Sequence, residues 1–336
     1  MSLAGQSAAK NRSIAFRSIQ CRVILVVILV TSCTFACQSN SVTPTTPTSG
    51  VPTRQTGWWW ADLAGIPSGV MGGSTHSGTT TANALNKQWN YWDVDGGSVS
   101  SALTEGLSAT PWGGSQVVKW HKLSGDNVNI FQKLNRTFTK DDWPAGAPGP
   151  PSTGGTGSPP DVSGRYISYQ YFPSAKFHLN ADHSWIIPNE FKENYYDSSG
   201  TWHQDATWFL LAGYSGTFPL RLVMYGGSHV GPTIPLSSIE DRWVKFEYRL
   251  YQGAKDSTGH GGRIEVYVDD KLFDTGYESE GHVGSKNSNA PDLAHTQSFI
   301  WIAGQYTSNQ STNGIPDSQN TDVTSYVGLS TVLPLP

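Results

Sequence analysis

The chain has 336 residues, of which 37% are hydrophobic and 12% aromatic, so it can bury a substantial core. Lys and Arg number 22 against 26 Asp and Glu, and four of the basic residues precede an apolar run near the N-terminus. Removal of that region leaves 18 basic against 26 acidic residues, a net charge of −8. This charge argues against nucleic-acid binding and, more weakly, against a strongly anionic substrate.

An export signal opens the chain. Residues 1–22 are basic and contain no acid, and residues 23–30 form an unbroken apolar stretch. This is the order of a signal peptide, and the stretch is about half the roughly 20 residues that a membrane-spanning helix needs. The sequence Val30-Thr31-Ser32-Cys33 resembles the bacterial lipobox, which implies removal of residues 1–32 and lipidation of Cys33. Lipidation at Cys37 and an ordinary secretory cleavage nearby are the alternatives.

The three cysteines, Cys21, Cys33 and Cys37, all lie near the N-terminus. The rest of the chain therefore has neither a disulfide framework nor a Cys-ligated zinc site. Ser, Thr and Pro dominate the residues that follow Cys37, and such a segment cannot bury apolar area. We expect residues 33–56 to be a solvated tether between a lipid and a domain, on the outer membrane or cell surface of a bacterium.

From residue 57 onward, short apolar runs alternate with Gly, Pro, Asn and Asp, and long helical periodicity is absent. This pattern predicts one all-β domain over residues 57–336, with its core in 115–333 and a two-sheet antiparallel sandwich or jelly-roll architecture. The predicted strands are, in chain order, 116–120, 127–138, 166–172, 207–214, 220–225, 243–251, 263–268, 271–275, 298–306 and 324–333. An irregular Pro- and Gly-rich segment at 143–155 is expected to be a surface loop.

Residues 243–251 and 263–268 have the clearest strand pattern, because apolar and polar residues alternate in both. The residues expected to point into the core are Val244, Phe246, Tyr248, Leu250, Ile264, Val266 and Val268. The turn around Asp269 and Asp270 then predicts a hairpin into residues 271–275.

Two segments, 241–247 (DRWVKFE) and 262–272 (GRIEVYVDDKL), resemble the concanavalin A-like lectin/glucanase superfamily, although Asp270 stands where that family usually has glycine. Residues 325–330 look like its terminal strand, and residues 166–172 are similar to an early strand of its polysaccharide-lyase-like members. The resemblance covers roughly residues 115–333. It implies a two-sheet jelly roll in which a concave sheet carries a polysaccharide.

The same resemblance implies that outward-pointing strand residues line the sugar groove, because aromatic rings cover sugar faces and polar groups bind hydroxyls. The carbohydrate-binding candidates are Trp243, Lys245, Glu247, Arg249, Arg263, Glu265, Tyr267, Trp301 and Gln305, together with Arg221. For the charged candidates the alternative is an ordinary solvated sheet face with weak cross-strand ion pairs.

The sequence motifs leave both an enzyme and a non-catalytic binding protein possible. Retaining glucanases of the superfamily carry a Glu-x-Asp-x-x-Glu run, which is not found here, so a lyase is favoured over a glycoside hydrolase. Residues 299–306 are similar to the alginate-lyase pattern Tyr-Phe-Lys-x-Gly-x-Tyr, with Tyr306 matching and Ile302 in place of lysine. In a lyase, the base would be Tyr306 or His203, and Arg221 or Gln305 would neutralise the substrate carboxylate. A surface or packing role is the alternative for His203.

No cofactor is expected. Residues 93–96 are similar to the start of a calcium loop, but the rest of an EF-hand is missing, so calcium has no further support. The sequence thus predicts a surface lipoprotein that binds a polysaccharide or other glycan and contacts the membrane only through its lipid. A non-catalytic structural or adhesive envelope protein is the alternative.

Overall fold

The computed structural model describes part of the chain, and for some strand residues it describes the backbone alone. The described residues are 50–70, 80–85, 87–89, 91–95, 102–107, 109–122, 130–138, 142–145, 163–174, 185–196, 202–213, 220–224, 229, 231–251, 263–277, 296–307 and 323–336. The expected signal peptide, Cys33, most of the tether and most of the loop at 143–155 lie outside this part. Among the described residues, no helix is both long and apolar enough to cross a membrane.

Two antiparallel sheets form the described structure, which confirms the predicted all-β sandwich. The strands are β1 (Trp60–Ala61), β2 (Gly69–Val70), β3 (Tyr91–Asp95), β4 (Ala102–Gly106), β5 (Gln116–Lys122), β6 (Ile130–Phe138), β7 (Gly164–Tyr171), β8 (Trp185–Tyr196), β9 (Trp202–Gly213), β10 (Leu220–Met224), β11 (Trp243–Tyr251), β12 (Arg263–Val268), β13 (Lys271–Tyr277), β14 (Thr296–Thr307) and β15 (Val323–Leu333). The described part also has a short α-helix, α1 (Thr80–Leu85), and a 3-10 turn at Leu236–Ser238.

Sheet I has the strand order β13-β12-β11-β7-β15-β5-β4-β2, with β1 paired to β15. Sheet II has the order β10-β9-β8-β14-β6-β3. Each predicted strand corresponds to an observed one. Residues 57–114, which the resemblance left unexplained, supply β1, β2 and β4 to sheet I and β3 to sheet II, so they complete both sheets.

The core lies between the sheets and is dominated by aromatic rings. Phe246 and Ile264 of sheet I are fully buried there, as the alternation of their strands predicts. Sheet II contributes Phe191 and Trp301 from adjacent strands, with nearly parallel rings whose centroids are 6.4 Å apart. Because edge and stacked ring contacts add to area burial, this layer holds the sheets together without disulfides.

Strand β8 is the long strand that the sequence did not predict. It lies in the middle of sheet II, between β9 and β14. Its sequence contains Pro188, which cannot donate a backbone hydrogen bond and normally argues against a central strand. The ladder accommodates this proline at an irregularity, because the pairing with β9 shifts register between Ile186 and Asn189.

The hairpin between β12 and β13 has a two-residue turn, with Val268 opposite Lys271. Asp269 and Asp270 have φ angles of 49° and 65°, in the left-handed region that favours glycine. Both aspartates instead bond to β11: Asp269 accepts from the Lys245 backbone N–H at 3.0 Å, and Asp270 accepts from the Lys245 ammonium. These bonds account for aspartate where the superfamily usually has glycine.

Candidate functional site

The residues predicted to form one groove lie on two different sheets. The seven candidates from Trp243 to Tyr267 are on β11 and β12 of sheet I. Arg221, Trp301 and Gln305 are on β10 and β14 of sheet II. Since the sheets pack face to face, their outward faces point in opposite directions. The prediction of a single groove lined by all ten residues is therefore wrong.

Trp301 was predicted to point outward and instead lies in the core. It is fully buried, and its indole packs against Trp59 and Tyr166 with ring centroids 5.7 and 5.8 Å away. The outward positions of β14 are Ile300 and Ile302, which alternate with Trp301. Trp301 therefore stabilises the sandwich and does not line a groove.

Glu247 is the centre of an ion cluster on the outward face of sheet I. It is fully buried and accepts two bonds from Arg165, at 2.8 and 2.9 Å, and one from Arg249 at 2.7 Å. Lys245, only 3% exposed, places its ammonium 3.5 Å from the same carboxylate and also pairs with Asp270. Lys245 and Glu247 are thus engaged with protein groups, contrary to the prediction that they bind sugar.

Burial alone would raise the pKa of Glu247. The hydrogen bonds from Arg165 and Arg249 and the charges of Arg165 and Lys245 outweigh that effect and lower the pKa to about 2. The carboxylate therefore stays ionised at any physiological pH and serves as a fixed counter-ion.

Acid is expected to weaken the fold through Glu247. Because its pKa is about 2 when folded and about 4.3 in an unfolded chain, its contribution is complete above about pH 5 and is lost as the pH falls toward 2. We expect protonation of Glu247 to lower the free energy of unfolding by about 2 to 3 kcal/mol over that interval. Urea unfolding of the wild type and Glu247→Gln at pH 6 and pH 2.5 checks this. The difference in unfolding free energy between the two proteins should be smaller at pH 2.5 than at pH 6, and an equal difference at both pH values would contradict the prediction.

The remaining candidates on sheet I are half-exposed and paired with one another. The Arg249 guanidinium lies 3.9 Å from the centroid of the Tyr267 ring, and that of Arg263 lies 3.8 Å from the Tyr251 ring. Glu265 accepts hydrogen bonds from Arg263 and from the Tyr267 hydroxyl. This arrangement is the solvated, cross-paired face that was the alternative interpretation of these charges.

Trp243 is also on the outward face of sheet I, but it is only 1% exposed. The Trp112 indole covers it edge-on, with centroids 4.9 Å apart and an interplanar angle of 80°. Trp112 belongs to the β4–β5 loop, in the segment that the sequence left without a role. A tryptophan between Pro111 and Gly113 was a usable turn signal, but nothing local indicated which surface it would cover.

The outward face of sheet II carries buried polar groups. Asn135, Ile302 and Glu190 are register partners on β6, β14 and β8, and each alternates with an interior residue. Asn135 is 2% and Glu190 4% exposed, yet Nδ2 of Asn135 and Oε2 of Glu190 have no hydrogen-bond partner within the described part of the chain. The other Glu190 oxygen lies 3.6 Å from the Lys192 ammonium.

Strand register separates the candidate catalytic residues along sheet II. Tyr306 pairs with Ile187, and Arg221 pairs with Leu211 at the same level, beside the Pro188 irregularity. Three strand spacings, about 14 Å, separate the backbones of Arg221 and Tyr306. His203 pairs with Tyr195, eight residues or about 26 Å farther along β8. The two candidate bases thus occupy distant parts of the sheet, and His203 is in strand β9 rather than in a loop.

For His203, Gln305 and Tyr306 the structure describes the backbone alone, so their roles stay predictions. Asp93 and Asp95, from the calcium-like fragment, are in strand β3 and pair with β6. In the described ranges, no group of three or more metal-ligating side chains occurs.

No family model matches the sequence, and no curated protein matches it. Three of the solved structures that do match are polysaccharide-degrading enzymes. An endo-β-1,4-glucuronan lyase from the fungus Trichoderma reesei has 10% identity and a TM-score of 0.42, covering 74% of this chain and 91% of that chain. The alginate lyase vAL-1 from Chlorella virus has 12% identity and a TM-score of 0.39, covering 75% and 97%.

The catalytic domain of an endo-1,3-β-glucanase (laminarinase) from Thermotoga petrophila RKU-1 has 12% identity and a TM-score of 0.40, covering 81% of this chain and 97% of that chain. Such lyases and glucanases are the proteins that the sequence itself resembles. At these identities and TM-scores, the matches assign neither a substrate nor a reaction to this chain.

Proposed function

We propose that the chain is an exported lipoprotein, anchored through Cys33, that binds a polysaccharide across the outward face of sheet II. The observation that carries this proposal is the row formed by Asn135, Ile302 and Glu190. A buried carboxylate oxygen and a buried amide without a partner in the described part of the structure are costly, and a hydroxyl-rich ligand would satisfy both. Ile302, the register partner of both, is only 5% exposed and completes this row.

The charge on this face favours a polysaccharide that carries carboxylates. Arg221 is half-buried on edge strand β10, at the level of Tyr306, and its guanidinium suits a uronate carboxylate. The net charge of −8 opposes anionic polymers at long range. Screening limits that repulsion to about 8 Å at physiological salt, so a local cation decides the preference at contact.

Cleavage by β-elimination is a second candidate, favoured by the register that places Tyr306 and Arg221 at one level. A base removes the proton from C5 of a uronate residue, the C4–O bond breaks, a C4=C5 double bond forms, and the leaving oxygen takes up a proton. In this scheme Tyr306 is the base and Arg221 holds the carboxylate, because Gln305, as the strand neighbour of Tyr306, belongs to the other row of β14. His203 is too distant to share the step.

Affinity electrophoresis of the full chain in alginate or polyglucuronate tests the binding proposal. We expect retardation by at least one of these polymers and a loss of about 10- to 100-fold in affinity in Arg221→Ala, because a charge-assisted bond is removed. His203→Ala is the control, since it retains the sheet and changes only its far end. Equal binding by wild type and Arg221→Ala, or no retardation by either polymer, would overturn the uronate assignment.

The same polymers separate a binder from a lyase. A lyase generates unsaturated ends that absorb in the ultraviolet, and Tyr306→Phe should abolish that signal while binding persists. Binding without a change in chain length would instead support the non-catalytic envelope protein.

A further inference from the structure

A concave surface lies on the other side of the sandwich, on the outward face of sheet I. It is an open cleft of about 780 Å³ between residues 51–67 and the β4–β5 loop. Two tryptophans, Trp60 and Trp112, line it, together with Arg54, Asp62 and Gln116. None of these residues belongs to the surface proposed above.

Trp112 is held rigidly at this cleft. Gly113 has a φ of 74° and donates its backbone N–H to Thr110 at 3.1 Å, which closes the turn that presents the indole. The ring lies directly on the backbone of β15, since a Cβ added to Gly328 would come within 1.9 Å of it. Rings of Trp243 and Tyr169 support it from the sheet at 4.9 and 5.4 Å. An aromatic fixed in this way loses little entropy when it binds a ligand.

Trp60 is oriented by its neighbours as well. Its indole N–H donates to Asp62 at 3.3 Å, and the other carboxylate oxygen of Asp62 accepts from the Ala64 backbone at 3.0 Å. Trp60 of β1 faces away from the core, whereas its chain neighbours Trp59 and Ala61 are buried in it, because successive side chains alternate. The two lining indoles are therefore both preorganised and both partly exposed.

The chemistry of the lining identifies the class of ligand. The charged residues that line the cleft are Arg54 and Asp62. Their opposite charges balance, so the lining has no net charge to attract an ion. Gln116 adds an amide that can donate and accept, which suits hydroxyl groups. A β-linked glucan presents apolar C–H faces above and below each ring and hydroxyls at its edge, and it therefore matches two indoles flanked by neutral and balanced polar groups.

We propose that this cleft binds a neutral β-glucan chain, as a second carbohydrate site separate from the face of sheet II. Val51 and Pro52, at the end of the expected tether, also line the cleft. The site thus adjoins the point where the chain leaves the domain for its lipid anchor, and a neutral glucan held there would keep the domain close to the polymer.

Isothermal calorimetry of the full chain with laminarin and with hydroxyethylcellulose, two neutral β-glucans, tests the proposal. We expect binding of at least one, and a loss of tenfold or more in Trp60→Ala and in Gln116→Ala. In Gly328→Ala the new methyl group displaces the Trp112 ring without altering a lining side chain, and binding should fall as well. Tyr251→Ala is the matched control, a half-exposed aromatic on the same face of sheet I but outside the cleft, and it should bind like the wild type.

Arg221→Ala distinguishes this site from the one on sheet II. It should weaken binding of the uronate polymer and leave β-glucan binding unchanged, whereas Trp60→Ala should do the reverse. Circular dichroism and thermal unfolding verify that each variant is folded. Absence of binding to both neutral glucans, or β-glucan binding that survives Trp60→Ala and Gln116→Ala in folded protein, would overturn the proposal.

Discussion

Replacing Trp301 with alanine will lower the free energy of unfolding by about 3 to 5 kcal/mol. Its indole is fully buried and contacts Tyr166 of sheet I, Phe191 of the neighbouring strand in sheet II, and Trp59 and Trp89. Removal of so large a ring leaves a cavity that rigid aromatic neighbours cannot fill. Urea unfolding followed by circular dichroism measures the loss.

Leu272→Ala is the control for this experiment. Leu272 is 58% exposed in strand β13, so its truncation should change the free energy of unfolding by no more than about 0.5 kcal/mol. A Trp301→Ala protein as stable as the Leu272 variant would show that Trp301 lies outside the core. A folded Trp301→Ala protein should still bind glycans, since the side chain touches neither proposed surface.

Replacing Glu247 with glutamine is the second change with a large expected effect. The substitution keeps the shape of the side chain but removes the charge that neutralises Arg165, Arg249 and the buried Lys245. Because the buried Lys245 then keeps only the partly exposed Asp270 as its counter-charge, we expect a loss of about 3 kcal/mol in unfolding free energy at pH 7, measured by urea unfolding.

Glu105→Gln is the matched control for Glu247→Gln. It breaks a pair of similar length, Lys119 to Glu105 at 2.9 Å, but one whose side chains are 24% and 31% exposed. Water screens such a pair, so the expected loss is below about 1 kcal/mol. Equal losses in the two variants would mean that the Glu247 cluster is solvated.

The two large effects concern residues that the sequence assigned to a sugar groove. Both are structural: sheet I packs over Trp301, and Glu247 accepts hydrogen bonds from Arg165 of β7, 82 residues away in the chain, and from Arg249 of its own strand. The surfaces left for a ligand are the row around Ile302 on sheet II and the cleft around Trp112 on sheet I.

Alternation along single strands was predictable because the pleat has a period of two. It identified the buried row of β11 and β12, including Phe246 and Ile264, and the turn at Asp269 and Asp270. On β14 the same reasoning failed, because Trp301 and Ala303 in one row and Ile300 and Ile302 in the other are all apolar. Without a polar row, the sequence does not indicate which row faces the core.

Strand β8 was missed for a related reason: Pro188 and many polar residues obscure its pattern, and only its two neighbours in sheet II make it a strand. The cleft needed contacts between the β4–β5 loop and residues 51–67, which no local pattern encodes.

The amino-acid sequence by itself determined the all-β class, the positions of most strands and the inward rows of those with a clear polar and apolar face. Only the tertiary structure decided which sheet each strand joins, and hence that Glu247 and Ile302 face opposite sides of the sandwich. The physical reason is that side-chain alternation is a local property of the backbone, whereas strand pairing joins distant segments through hydrogen bonds that every sequence can make.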